Sequence, residues 1–528
     1  MKKLLAVVLA ILMLCSVGCT SSGGGGGGSD RPYTLNLGLF NGALDRQMMD
    51  EIIKDFEDAY PEVHVEVKLG KSEYSDGTLT AQMRTSGVDI YYLDTNTYST
   101  FYQGGYLEDI TAEVREKIFD DDVNLVQAGQ TATKSIEDTM WSDFKDIYCV
   151  NDKYYAIPHY TSIPGIVYDA DLFEEMDYEV PETYPEFIEL METMVSDGYT
   201  PFCFSTMDYI TLASLESFVA MYEGKNDYNI RGTFNGTHSQ LGKEINIQNA
   251  YLLNSAEGKK AAIQFAYDLA RKDTFVTQGT RNGLTHIEAQ KQFVSSIMQK
   301  PTSSNPRPRV AMFLENSYWE REVKATFDDM SAFKDSYGYG KRNFKYMPAP
   351  KMIGVEGIAN TTNTDKDTVY VGSTASFVCI NAASEKKQIA KDFLQFAQSR
   401  ESLAKYVIHS SSLRAYDFEL TDAEIAQCTP YGLSIYNLLS DPNTELVCGG
   451  ARNPVSIQNG SEFDYNFKYY TSALTSDGAG NTATKVEGRA IFNLMREYPN
   501  LTVKQYYDGY VNYWNADRWA DTLSKITL

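Results

Sequence analysis

Histidine is scarce in this chain and cysteine never comes as a Cys-x-x-Cys pair. The five histidines, His64, His159, His238, His286 and His409, stand too far apart in sequence to suggest a metal pair. The seven cysteines lack zinc-knuckle or thioredoxin-type spacing, which removes both site classes. Asp120-Asp121-Asp122 lacks the D-x-D-x-D-G spacing of a calcium loop and reads as a solvated turn. No metal or cofactor is therefore expected. There is no H-E-x-x-H, nucleophile elbow or Walker A motif, and the only glycine-rich run, Gly23–Gly28, is low-complexity linker. Basic charge is also short, with 47 Lys and Arg against 71 Asp and Glu, a net charge of −24. Such a balance repels nucleic acid and anionic lipid. Beyond residue 14 no apolar run approaches transmembrane length.

What is present begins at the N-terminus. Met1-Lys2-Lys3 supplies positive charge, Leu4–Leu14 is an unbroken apolar run, and Ser16-Val17-Gly18-Cys19 follows. A basic start, a short apolar core and small residues describe a secretory signal peptide over residues 1–18. As a helix the run rises about 16 Å, roughly half a bilayer core, so a permanent span is disfavoured. The small-residue ending resembles the lipobox of bacterial lipoproteins, with Cys19 as the acylated residue and Ser16 where leucine is usual. From Thr20 to Asp30 the glycine-rich stretch is a flexible tether of about 17–20 Å reach. Loss of the leader and lipidation of Cys19 leave Cys149, Cys203, Cys379, Cys428 and Cys448, an odd number. Cys428–Cys448 is the shortest loop a disulfide could close; free thiols are the alternative.

The body opens in an α/β pattern. Leu35, Leu37 and Leu39 alternate in a strand, and Met49, Ile52, Ile53, Phe56 and Tyr60 follow at helical spacing, with Asp45 as N-cap and Pro61 as stop. Val63, Val65, Val67 and Leu69 alternate again, and Asp89–Leu93 reads as a buried strand ending at Asp94. Strand, crossover helix and strand predict a largely parallel sheet. Ligands of such sheets lie beyond the carboxyl ends of strands, which puts Asn41, Asp94, Asn96 and Tyr98 at a site. Val369–Ile380 reads as one further strand, followed by an amphipathic helix through Ile389, Phe393 and Leu394. In the tail, Tyr506, Tyr510, Tyr513, Trp514 and Trp519 recur at helical spacing and read as packing residues.

Several segments resemble, in order, the type 1 extracellular solute-binding proteins of ABC importers: "FEDAYPEVHVEVK", "DIYYLDTNTYSTFYQGGYLEDIT", "YYAIPHYTSIPGIVYDADLFEEM", "VPETYPEFIELMETMVSDGYTPF", "RVAMFLENSYWE" and "SFVCINAASEKKQIAKDFLQFAQSRESLAKYV". The resemblance runs from Tyr33 to about Ala415. It implies an α/β fold of the two-lobed periplasmic-binding-protein type (type II), with discontinuous lobes joined by hinge strands and a ligand cleft between them. The first lobe would take residues 33–157 and return over 371–420, behind a lipidated linker at 19–32. The second would take 158–370, with a helical C-terminal part over 421–528.

The resemblance implies a lipid-anchored receptor on the extracellular side, or in the periplasm of a cell with an outer membrane. It would capture a carbohydrate, with an oligosaccharide expected, by lobe closure and deliver it to permease subunits, acting as a monomer and touching the membrane only through its lipid. His159 and Tyr160 fall at the first crossing between lobes. Tyr318 and Trp319 fall on the turn where the family presents an aromatic ring, expected here to stack on a sugar. Arg414 falls near the family's segment returning to the cleft. A peptide or other small polar solute is the alternative ligand. A surface glycoside hydrolase or lyase stays open as the rival class, because paired catalytic carboxylates have no fixed spacing.

Overall fold

The structure is a computed structural model; it describes residues 31–39, 46–69, 76–94, 98–206, 209–372, 376–449 and 491–526. Its organising strands run, in chain order, β1 (Tyr33–Leu39), β2 (Val63–Leu69), β3 (Ile90–Asp94), β4 (Ile157–Pro158), β5 (Gly165–Asp169), β6 (Thr200–Cys203), β7 (Val310–Glu315), β8 (Phe344–Met347), β9 (Asp367–Val371), β10 (Ser376–Ile380) and β11 (Thr444–Cys448). Five helices matter below: α1 (Gln47–Ala59), α2 (Ser142–Tyr148), α3 (Tyr209–Thr233), α4 (Arg400–Ser410) and α5 (Pro430–Ser440).

The first lobe is built on a sheet in the order β2-β1-β3-β10-β4. Alternation buries Leu35, Leu37 and Leu39 of β1, and α1 lays Met49, Ile52, Ile53 and Phe56 over them. Phe56 meets Phe393 edge-on at 4.9 Å, so the returning helix closes the same core. Asp45, expected to cap α1, lies outside the described residues. β1 pairs with β2 and β3 in parallel, as the crossover pattern predicts, but β10 pairs antiparallel with both β3 and β4. The sheet is therefore mixed rather than largely parallel. Its antiparallel half comes from chain re-entering the lobe after residue 370, which no local periodicity could reveal.

The second lobe carries a sheet in the order β8-β5-β7-β6, with only β6 and β7 parallel. The single strand expected over Val369–Ile380 is two: β9 pairs in parallel with β11 as a ribbon, and β10 enters the first-lobe sheet. Val369 packs in one core and Val371 in another, as a strand crossing between lobes must. Besides the core of each lobe, a third joins them. In it Phe313, Trp319 and Phe344 of the second lobe meet Ala404 and Val407 of α4 and Tyr431, Ile435 and Leu439 of α5.

The insert near residues 226–254 and the tail support one another. Trp519 donates its indole N–H to the Ile247 carbonyl at 2.7 Å and meets Phe234 edge-on at 5.7 Å. Trp514 and Tyr506 are buried in the same second-lobe core; the side chains of Tyr510 and Tyr513 lie outside the described ones. None of Cys149, Cys203, Cys379, Cys428 and Cys448 is joined in a disulfide in this structure, the Cys428–Cys448 pair included. Among the described residues no helix is long and apolar enough to cross a membrane, and no group of carboxylates, histidines and thiols could hold a metal ion.

Candidate functional site

The carboxyl ends of β3, β6 and β7 and the crossing after β4 supply the side chains that matter. Asp94 closes β3 opposite Ser376. Tyr160, on the crossing, donates its hydroxyl to Asp94 Oδ2 at 2.8 Å. Tyr318, on the turn after β7, presents its ring edge-on to Tyr160 with centroids 6.0 Å apart. Although its turn belongs to the second lobe, Tyr318 packs within the core of the first. Asp94, Tyr160 and Tyr318 are thus brought together from both lobes. The turn is held by its own polar groups: the Tyr318 N–H donates to Asn316 Oδ1 at 3.1 Å, and the Asn316 N–H to Glu315 Oε1 at 3.1 Å.

Two residues that sequence reading passed over complete the set. β6 and β7 run in parallel with Phe313 opposite Cys203, so Thr206 and Asn316 each stand three residues beyond that pair. Both are almost fully buried, yet Thr206 Oγ1 and Asn316 Nδ2 have no hydrogen-bond partner among the described residues. Buried polar groups are nearly always paired. An unpaired acceptor-donor and an unpaired donor at neighbouring strand ends are what a ligand rich in hydroxyls would satisfy. The cue existed: Ser205-Thr206 and Asn316-Ser317 follow buried apolar strands, as Asp94 does.

Four expected contacts are corrected. Trp319 is fully buried in the core between the lobes, edge-on to Phe313 at 4.8 Å and Phe344 at 5.1 Å, and offers no ring face to a ligand. His159 is buried, with Nε2 3.0 Å from the Tyr406 hydroxyl and Nδ1 3.4 Å from Ser376 Oγ. Burial, then the Arg414 charge, hold its pKa well below the ordinary imidazole value, so the ring is neutral. Arg414 is a staple: its guanidinium donates to the carbonyls of His159, Ala397 and Pro158 at 2.6, 2.8 and 2.9 Å. Tyr98 turns into the first-lobe flank, donating to the Tyr148 carbonyl at 3.2 Å and packing on Phe377. Asn41, Asn96 and Cys19 lie outside the described residues.

A family model described as Bacterial extracellular solute-binding protein matches residues 42–404, well over half of the 528. The chain belongs to that family. Among curated relatives, this solute-binding protein is 26% identical over 169 residues to the multiple sugar-binding protein of Streptococcus mutans serotype c (strain ATCC 700610 / UA159), covering 31% of this chain and 34% of that one. The match thus spans about a third of the relative's length. Solved structures share the fold along almost the whole chain. SBP RafE in complex with raffinose superposes with a TM-score of 0.54 at 16% identity, covering 91% of this chain and 98% of that one. Maltose-bound MalE3 of T. maritima gives 0.55 at 14% identity, covering 91% and 99%. The two-lobed type II fold follows.

One recess of the solute-binding protein lies apart from these residues. It holds about 640 Å³ between Trp141, Asp417, Phe418, Tyr436 and Leu446, and none of Asp94, Tyr160, Thr206, Asn316 or Tyr318 lines it. Its carboxylates stand on exposed positions; Asp121 already accepts from Thr133 and Asp441 from the Asn443 N–H. The strand-end set, not this groove, has the unanswered hydrogen bonds.

Proposed function

We propose that this chain is the carbohydrate-binding receptor of an ABC importer, lipid-anchored through Cys19 on the outer side of a cell membrane. It acts as a monomer and hands its ligand, unchanged, to the permease subunits. The observation that carries the reading is the pair of unanswered buried groups, Thr206 Oγ1 and Asn316 Nδ2, at the ends of neighbouring strands, Asn316 being bonded to the Tyr318 turn. Saccharide hydroxyls donate and accept at once, and the Asp94 carboxylate and the Tyr160 and Tyr318 rings add an acceptor and apolar edges. The sugars named for the relatives agree with this chemistry. Lobe closure follows from differential affinity, since a ligand that touches both lobes favours the arrangement in which it touches both.

Thermal unfolding against a panel of oligosaccharides, peptides and other polar solutes tests the class. Ligand at a hundredfold excess over Kd contributes about 2.7 kcal/mol. A shift with peptides alone would replace the carbohydrate reading, and hydrolysed product after long incubation would move the chain to the hydrolase class. Thr206→Val tests the site. It removes a hydroxyl that has no partner among the described residues, so unfolding stability is expected to hold or rise, whereas saccharide Kd weakens about tenfold, or about 1.4 kcal/mol. Loss of stability with normal binding would remove Thr206 from the site. The anchor has its own test: Cys19→Ala is expected to release a folded protein into the soluble fraction, and retention on membranes would contradict lipidation.

A further inference from the structure

We infer that Lys225 is a positioning residue that holds the two lobes in the arrangement seen here, without touching the ligand site. The helix α3 that carries it is broken at Gly224, where φ is 70° and ψ is 173°. This is a left-handed conformation that suits glycine, and a Cβ there would press on the Asn363 side chain at 3.3 Å. The break frees the Lys225 N–H from the helical ladder. It donates instead to Glu445 Oε2 at 3.0 Å, on the β11 strand of the crossing ribbon. Asn363 braces the same spot, donating to Thr368 Oγ1 at 2.8 Å and to the Met221 carbonyl at 3.2 Å.

With its backbone fixed in this way, Lys225 reaches into the other lobe. Its ammonium lies 2.8 Å from Asp143 Oδ2 on α2, whose neighbours Phe144 and Tyr148 belong to the first-lobe core. The Asp143 side chain is only 8% exposed and that of Lys225 37%, so the carboxylate depends on this cation more than the cation depends on it. Separating the lobes would take from Asp143 the cation it pairs with in this arrangement. One residue therefore ties the first lobe, the second lobe and the crossing ribbon. None of Asp143, Lys225 and Glu445 lies at the carboxyl ends of β3, β6 or β7. In the same arrangement Tyr318 of the second lobe lies against Tyr160 of the first. The tie therefore favours the convergence of the cleft residues.

Small-angle scattering of the ligand-free full chain tests the inference directly. Lys225→Met and Asp143→Asn are each expected to raise the radius of gyration and to remove its dependence on salt between low and high ionic strength. Lys225→Arg keeps the charge and is expected to restore the wild-type value. The Lys225→Met/Asp143→Asn double variant is expected to equal either single variant, because one contact is lost in all three. Unchanged scattering in both single variants, or additive effects in the double variant, would overturn the inference. The consequence for affinity rests on the carbohydrate reading above: both variants are expected to weaken saccharide binding about tenfold. If no saccharide binds even the wild type, that reading fails while the scattering result still decides the role of Lys225.

Discussion

Replacing Arg414 with alanine is expected to destabilise the protein by about 4 kcal/mol or more, a loss that binding measurements alone would misread. The guanidinium is fully buried and donates to three main-chain carbonyls, those of Pro158, His159 and Ala397. Hydrogen bonds from a charged donor contribute about 1.5–3 kcal/mol each, and removing the donor leaves buried acceptors unanswered. The guanidinium also sits over the rings of Tyr406 and Tyr416, 5.1 and 5.3 Å from their centroids, an arrangement worth a further fraction. Pro158 and His159 begin the crossing between lobes, and Ala397 ends the returning helix, so the staple fixes where the chain leaves and re-enters the first lobe. Urea unfolding of Arg414→Ala checks this. Lysine at the same position offers a point charge in place of a planar fork and is expected to recover only part of the stability. A normally stable Arg414→Ala protein that no longer binds ligand would return Arg414 to the cleft.

Arg414 marks the boundary of what the sequence made legible. The strands and helices of the first lobe follow from alternation and helical spacing, because each element buries one face locally. The start of the helix Tyr184–Ser196 was legible too. In "PETYPEF", within one of the segments that carry the resemblance, Thr183 and Glu186 stand three apart as in a capping box, and the Thr183 N–H donates to the Glu186 carboxylate at 2.9 Å. What periodicity could not supply was partnership across long separations. The antiparallel entry of β10 beside β3 joins residues nearly three hundred positions apart, and the split of Val369–Ile380 into two strands depends on which sheet each half joins.

Site residues divided in the same way. Asp94 entered the candidate set because ligands of α/β sheets lie beyond strand ends, and the same rule applied to β6 and β7 adds Thr206 and Asn316 to it. Tyr318 and Trp319 are adjacent, and sequence could not tell that Tyr318 packs with Tyr160 of the first lobe while Trp319 fills the core between the lobes. One residue along a turn rotates the side chain to the other side, and the aromatic cage of Phe293, Phe313 and Phe344 claims Trp319. His159 and Arg414 were named through the resemblance, which gives a place along the chain and not a partner. Their partners are a hydroxyl on α4 and carbonyls of the crossing strand, and neither is visible without tertiary structure.

Glu320→Gln is expected to stabilise the protein above neutral pH by on the order of 3 kcal/mol, with the gain vanishing in acid. Glu320 is fully buried beside Trp319, and burial pushes its pKa up from 4.5 to about 7, against the opposing hydrogen bonds from Thr429 and the Gly340 backbone and the Arg342 charge. The Thr429 hydroxyl donates to Glu320 Oε2 at 2.7 Å while accepting the Gly432 N–H as the N-cap of α5, so the carboxyl group is tied to the helix that completes the core between the lobes. Its other oxygen, Oε1, has no partner among the described residues. A carboxyl group with a raised pKa takes up a proton on folding. Its protonated form favours the fold fully below about pH 4.5, and that advantage is lost as pH rises through 4.5 to about 7. Glutamine mimics the protonated group in size and carries no charge, so it abolishes the loss. Unfolding midpoints of wild type and variant at pH 5 and pH 8 decide the matter. The variant is expected to exceed wild type far less at pH 5 than at pH 8, and the same offset at both pH values would mean that Glu320 does not titrate between them.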